Sequence, residues 1–336
     1  MGTRVWAPGR VNLIGDHTDY TGGLALPMAI GRGMELTGDP GGSWIMIGSE
    51  QMDGMCELPL GIEDPSTVQP PWARYVAGVV AELPARDGFL GTVSSTLPIG
   101  RGLASSAALE VAAAVALGGD LADPLALAQA CQRAEHRAVG VPCGIMDQLT
   151  IVAAMDQAVL RLDCQELSFE PIVLPEDVEV VVIDSGQQRH LAATPYAARR
   201  AESARAEALV GPLRGATPQE AETIEDPVLR RRARHVVTEN QRVDALVTAF
   251  KDNDLRQAGE LMVASHASLR DDYDVSTPQL DDLVQNLRGT AGVYGARLTG
   301  AGFGGCVVAL CHPYAVFDLP VVWRGRPASG VTREEI

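Results

Sequence analysis

Lysine is almost missing. Lys251 stands alone among 336 residues, while arginine is abundant. It lies in Phe-Lys-Asp-Asn-Asp with no glycine loop before it, which excludes a Walker-type phosphate lysine. The bias otherwise reads as compositional. No stretch approaches the roughly 18 apolar residues of a membrane span. No signal-like segment precedes the first polar-apolar strand pattern, so a cytoplasmic protein is expected. Positive charge is in deficit. The formal net charge of −16 argues against nucleic acid and anionic membrane as partners and leaves a small polar substrate open. The six cysteines, Cys56, Cys131, Cys143, Cys164, Cys306 and Cys311, form no C-x-x-C pair and no zinc spacing. They read as separate buried thiols in a reducing compartment. Internal repeats and low-complexity tracts are also lacking.

The composition, 46% hydrophobic and 21% charged, is that of a globular protein, and the length suggests two domains. Short strands are expected at 44–47 and 91–96, and helices at 73–81 and 103–117. Asp123-Pro124 opens a helix to about Val139, with Leu127, Cys131, Ala134 and Ala138 on its apolar face. A break near Leu174-Pro175-Glu176 separates residues 1–175 from 176–336. The second half offers a β-branched strand at 178–183 and charged helices at 195–209, 226–249 and 254–270. Thr277-Pro278 opens another helix. Residues 293–298 and 306–310 then read as two strands around a glycine loop.

Three segments carry chemistry. In the first, an apolar run from Val11 to Ile14 stops at Gly15, and Asp16, His17, Thr18, Asp19 and Tyr20 follow. Two carboxylates flanking a histidine suit a polyhydroxy ligand, because each can accept two hydrogen bonds from neighbouring hydroxyls. A plain turn or a metal site suits the same residues. In the second, Leu97-Pro98-Ile99-Gly100-Arg101-Gly102-Leu103-Ala104-Ser105-Ser106-Ala107 runs from a flexible loop into a helix. The free N–H groups at a helix start and the permissive Gly100 and Gly102 suit a phosphate, with Ser105 or Ser106 able to touch Mg²⁺. On the residues alone, helix capping by the serines is the plainer reading. In the third, Glu135 adjoins a small apolar face, and Asp147 is the one acid in an apolar turn after Pro142-Cys143-Gly144. Asp147 suits a group that orients a hydroxyl or accepts its proton, or a turn residue satisfied by backbone.

These segments, in this order, resemble the galactokinases of the GHMP kinase superfamily, and the likeness runs from about residue 5 to 311. Residues 7–30 are similar to the sugar-binding signature, with Asp16 where the family usually has Glu. Residues 97–110 resemble the phosphate loop, with Ala104 in place of the first of three serines. Residues 133–149 resemble the segment that bears the catalytic Asp, and Arg297-Leu-Thr-Gly-Ala-Gly-Phe-Gly-Gly-Cys306 resembles the third superfamily motif. The resemblance implies a two-lobed α+β GHMP kinase fold with the active site in the inter-lobe cleft, made of an N-terminal domain (1–175) and a C-terminal domain (176–336). It implies ATP-dependent phosphorylation of D-galactose at the anomeric hydroxyl by a monomer. Asp147 would be the base and Arg10 its positive partner. Asp16, His17, Asp19, Gly144 and Tyr196 would bind sugar. Gly100, Gly102, Leu103, Ala104, Ser105, Ser106, Ala107 and Trp72 would bind ATP, and Ser106 with Glu135 would hold Mg²⁺. A kinase for another sugar, such as N-acetylgalactosamine or arabinose, is the near alternative, and a non-catalytic sugar sensor the distant one. Two departures stand out: the N-terminal extension of many galactokinases is absent, and residues 311–336, with Pro313, Pro320 and Pro327, should hold no long helix.

Overall fold

The computed structural model describes residues 1–83, 85–187 and 193–336. Part of the segment 185–200, residues 188–192, therefore lies outside the described residues. The first half of the chain runs β1 (Thr3–Asn12), β2 (Leu24–Ala25), β3 (Pro27–Pro40), β4 (Trp44–Ser49), β5 (Cys56–Pro59), α1 (Ala73–Glu82), β6 (Phe89–Ser95), α2 (Ser105–Ala116), α3 (Pro124–Val139), α4 (Met146–Ala153), β7 (Ala158–Asp163) and β8 (Ser168–Val173). The second half runs β9 (Glu179–Asp184), α5 (Ala193–Val210), α6 (Pro218–Glu222), α7 (Pro227–Lys251), α8 (Leu255–Asp271), α9 (Pro278–Arg288), β10 (Val293–Leu298), β11 (Cys306–Cys311), β12 (Val321–Gly325) and β13 (Thr332–Glu335).

Three sheets organise these elements. The first has the order β13-β1-β3-β6-β4-β5, the second β10-β11-β9-β12, and the third β2-β7-β8. Every pairing is antiparallel except β4 with β6. The alanine-rich α2 is buried along nearly its whole length against β1, β3, α1 and α3. Small side chains let these layers approach closely. In the second lobe α8 and α9 cover β10, and α7 packs between α5 and α8. The helix starts follow local chemistry. Asp123, Thr217, Asp226, Asp254 and Thr277 each cap a helix through a side-chain oxygen.

Most expected elements form within a few residues of their predicted bounds. Several others were not anticipated. β3 carries Gly31, Gly33 and Gly38 between Pro27 and Pro40, residues that break patterns locally. It is a strand because β1 and β6 pair with it on both sides. Asp147, expected in a turn, lies in the first turn of α4. That helix is eight residues long, too short to show a period, and Pro142 and Gly144 just before it read as turn chemistry. The cysteines are all free, but Cys143 and Cys164 are only half-buried, contrary to the expectation of six buried thiols.

The C-terminal segment holds no helix, as the prolines require. β13 instead crosses back to pair with β1, so the last strand joins the first sheet. Arg326 clasps this return. Its Nη1 donates to the carbonyls of Pro175 (2.6 Å), Glu176 (3.1 Å) and Val178 (2.9 Å), and its Nη2 to that of Leu174 (2.7 Å). Its Nε donates to the Gln157 side chain. Arg326→Ala should therefore cost about 2–3 kcal/mol, because several half-buried carbonyls lose a charged donor at once. Chemical denaturation checks this, and an unchanged midpoint would show that the clasp contributes nothing.

Candidate active site

A cleft of about 620 Å³ lies between the lobes. Its walls are the end of β1, the 99–106 loop, α3, the start of α4, Tyr196 of α5 and the 300–303 glycine loop. At its centre Arg10, on β1 and 5% exposed, meets Asp147 on both oxygens. Nε donates to Oδ1 at 2.8 Å and Nη2 to Oδ2 at 2.6 Å. The remaining Nη1 donates to the Gly102 carbonyl at 2.8 Å. One guanidinium thus ties the proposed acid to the phosphate loop.

That loop turns through left-handed backbone at Gly100 (φ 74°), Gly102 (φ 81°) and Ala104 (φ 60°) before α2 starts. Ala104 is the N-cap and makes no side-chain capping bond, so Ser105 and Ser106 sit inside the first turn and are not caps. The orphan N–H groups of such a first turn, with the positive dipole end, suit an anion. Gly100, Gly102, Ala104, Ser105 and Ser106 line the cleft. Leu103 and Ala107 do not; their side chains are 1% and 0% exposed in the core. Leu103 contributes its carbonyl, which accepts from the Arg10 N–H at 3.2 Å. Arg101 pairs with Asp184 at 3.1 Å, linking the loop to the end of β9. Trp72 lines the cleft near Met52 and Tyr75, with its Nε1 donating to the Asp53 carbonyl at 3.1 Å.

Beyond Ser106 a buried acidic network begins. Ser106 Oγ donates to Glu135 Oε1 at 3.1 Å. The other oxygen, Oε2, accepts from Gln148 Nε2 at 2.7 Å and from the Cys143 thiol at 3.1 Å. Gln148 Nε2 also reaches Glu110 Oε2 at 3.1 Å. Burial, with Asp147 nearby, pushes Glu135 up from the ordinary carboxylate range. Burial and the Glu135 charge push Glu110 higher still, and they raise the Cys143 thiol, which keeps it a donor. Cys143, Gln148 and Glu110 were missed from sequence. Glu110 carried a signal: it is a lone carboxylate in the apolar run of α2, the same anomaly that marked Glu135.

The 16–20 loop divides its acids. Asp16 is 1% exposed, takes Arg297 Nη2 at 2.5 Å on Oδ2 and accepts the Gly300 N–H at 3.2 Å on Oδ1. His17 has both ring nitrogens in bonds, to Tyr20 and to the Ala301 carbonyl. Both residues line the cleft, but the expectation that they serve chiefly as hydroxyl partners is revised. The fully buried Arg297 needs a counter-charge, and Asp16 supplies it. Asp19 is the acid of this loop without such a partner cation. A Cβ on Gly144 would lie 1.9 Å from its Oδ2, so only glycine lets α4's entry lie against that carboxylate. Burial, followed by the charges of Asp147 and Asp16, pushes Asp19 up to about 7. Tyr196 stands beside this group, its ring 5.8 Å from His17 and 5.6 Å from Tyr20.

Comparison with known proteins matches this geometry to a family. Residues 3–39 match the galactokinase galactose-binding signature, 74–154 the GHMP kinases N-terminal domain and 246–318 the GHMP kinases C-terminal domain. The galactokinase of Bos taurus is 42% identical over 93% of this chain and 84% of its own. The chain belongs to the galactokinase family. The galactokinase of Haemophilus influenzae is 41% identical, over 91% of this chain and 84% of its own. The crystal structure of Lactococcus lactis galactokinase complexed with galactose superposes with a TM-score of 0.89 at 32% identity, covering 98% of this chain and 95% of that one. The fold is therefore the two-lobed GHMP kinase fold. In this galactokinase-family chain the signature spans β1, the 16–20 loop and most of β3, which are the elements that bring Arg10, Asp16 and Asp19 to the cleft. Among the described residues no helix is long and apolar enough to cross a membrane.

Proposed function

We propose that this chain transfers the γ-phosphoryl group of ATP to the anomeric hydroxyl of D-galactose, giving galactose 1-phosphate and ADP. The observation that carries the reading is the Arg10 guanidinium, which holds Asp147 with two nitrogens and the phosphate loop with the third. An acceptor hydroxyl at Asp147 then faces a phosphate seated at the start of α2. Asp147 orients that hydroxyl and takes its proton. Arg10 holds the Asp147 carboxylate in place with two hydrogen bonds and offsets charge on the moving phosphoryl group. Asp19 accepts bonds from sugar hydroxyls remote from the reacting one, with Gly144 and Tyr196 shaping the same end. Trp72 borders the adenine.

The residues present fit Mg²⁺. Ser106 Oγ and Glu135 Oε1 are two adjacent oxygen donors, with Glu135 Oε2 fixed from behind by Gln148 and Cys143. Mg²⁺ commonly takes one or two protein oxygens and keeps phosphate and water as its other ligands. When bound, Mg²⁺ would neutralise phosphate charge. Division into domains 1–175 and 176–336, with β13 returned from the second to the sheet of the first, action as a monomer and a cytoplasmic location belong to the same reading.

ADP release measured across a sugar panel tests it. Galactose should far exceed its epimer glucose, because an inverted hydroxyl leaves a buried acceptor unpaired. N-acetylgalactosamine and arabinose should also be poorer. Comparable kcat/KM for glucose and galactose would overturn the reading. A pH prediction accompanies it. Asp19 must be ionised to accept two hydroxyls, and its carboxyl titrates at about 7. The KM for galactose should fall about tenfold as pH rises from about 6 to about 8, since the ionised fraction rises by that factor. Asp19→Asn should flatten this limb; a native profile already flat would contradict the role given to Asp19.

A further inference from the structure

A file of hydrogen bonds runs from the second lobe into the 16–20 loop. Ser203 Oγ meets Tyr273 Oη at 2.6 Å, Tyr273 Oη meets Tyr20 Oη at 2.8 Å, and Tyr20 Oη meets His17 Nδ1 at 2.8 Å. His17 Nε2 ends the file on the Ala301 carbonyl at 3.2 Å. With the His17 ring neutral, that last contact sets every direction. A carbonyl only accepts, so Nε2 carries the hydrogen, and in a neutral ring Nδ1 must accept. Tyr20 therefore donates to His17, Tyr273 donates to Tyr20, and Ser203 donates to Tyr273. Ser203 and Tyr273 are fully buried, and no water is needed to complete the file. Burial holds both phenols well above the physiological range, Tyr273 at about 12, so both remain O–H donors.

The file joins four separated segments: the 16–20 loop, α5, the turn after α8 and the glycine loop. It meets the loop at its strained point. His17 has φ 64°, a conformation that side chains other than glycine seldom adopt. Through that turn the chain sends Asp16 inward to Arg297 and Gly300, and Asp19 toward Gly144. The imidazole is gripped on both sides and lies tilted against the Tyr273 ring, with centroids 4.7 Å apart. None of the three hydroxyls need touch a ligand for the file to act.

We propose that Ser203, Tyr273 and Tyr20 are positioning residues for the sugar subsite: their one-way hydrogen-bond file grips His17 at Nδ1, opposite the Ala301 carbonyl, and so holds the loop that places Asp19. The proposal rests on the reading of this loop as the galactose subsite. It makes the three hydroxyls one unit, in which breaking any link releases the same loop.

Calorimetric titration of galactose, and separately of ATP, into the native protein and into Tyr273→Phe, Tyr20→Phe and the double variant tests it. Tyr273→Phe should weaken galactose about tenfold, the worth of one buried hydrogen bond, with ATP affinity unchanged. Tyr20→Phe should weaken it at least as much, and the double variant no more than Tyr20→Phe alone. Ser203→Ala, a smaller change, should give a weaker defect of the same kind and serves if a Phe variant does not fold. Imidazole ¹⁵N shifts should report the Nε2–H tautomer of His17 in the native protein, with the Nδ1 resonance shifting in Tyr20→Phe as that nitrogen loses its donor. Native galactose binding with unchanged variants, additive defects, an equal loss of ATP affinity, or an Nδ1–H tautomer would each overturn the proposal. If the native protein bound no galactose, the subsite reading would fall and the proposal with it.

Discussion

Asp147→Asn is expected to lower kcat by about a thousandfold or more, with the protein folded and both substrates still binding. The loss corresponds to about 4 kcal/mol of barrier. The amide keeps one oxygen that can accept from Arg10 Nε, and Arg10 retains its bond to the Gly102 carbonyl, so the cleft should keep its shape. What disappears is the negative charge and the capacity to take a proton from the acceptor hydroxyl. The side-chain NH₂ would also point a donor at Arg10 Nη2, which itself only donates. Rapid-quench measurement of the first turnover, beside a thermal melt, separates chemistry from folding. A folded variant with near-native first-turnover rate would remove Asp147 from the reaction.

Glu135→Ala is expected to raise the Mg²⁺ concentration for half-maximal activity by about a hundredfold and to lower kcat, while the KM for galactose changes little. The carboxylate is one of the two oxygen donors assigned to the metal, the other being Ser106 Oγ. The groups behind it are arranged to hold it: Gln148 and Cys143 both donate to Oε2, and Gln148 is itself anchored on Glu110. Such outer partners commonly change metal affinity by about ten- to a hundredfold. Removing Glu135 takes the ligand away and leaves the Cys143 thiol and the Ser106 hydroxyl without this acceptor, while Gln148 keeps Glu110. Ser106→Ala should show the same pattern more weakly. A defect confined to the galactose KM, with normal metal dependence, would contradict the assignment of this pair.

Much of the site was legible because its residues are locally odd. Arg10, Asp16, His17, Asp19, Ser105, Ser106, Glu135 and Asp147 are polar groups set among apolar or glycine-rich neighbours, and the structure brings all of them to one cleft. What escaped depends on partners distant in sequence. The Asp16 carboxylate reads as a ligand until Arg297, 281 residues away, is seen to occupy it. Asp16→Glu would push a further methylene between Arg297 and Gly300 at a position 1% exposed, and should cost about 1–3 kcal/mol. Tyr273 looks like an ordinary packing residue because nothing in a one-dimensional string shows its hydroxyl meeting that of Tyr20. Elements failed for the same reason. β3 is a strand through its two neighbours despite its glycines, and β13 is too short and charged to read as a strand without β1 beside it. Helices with a cap and a long apolar face, such as α3, needed no such context.

The most direct test of the central claim is to identify the product. Native protein supplied with ATP, Mg²⁺ and D-galactose should yield ADP and one equivalent of galactose bearing phosphate on the anomeric oxygen, read by ³¹P and ¹H NMR. ADP released without a sugar phosphate, or phosphate on any other hydroxyl, would contradict the placement of the acceptor between Asp147 and the phosphate loop.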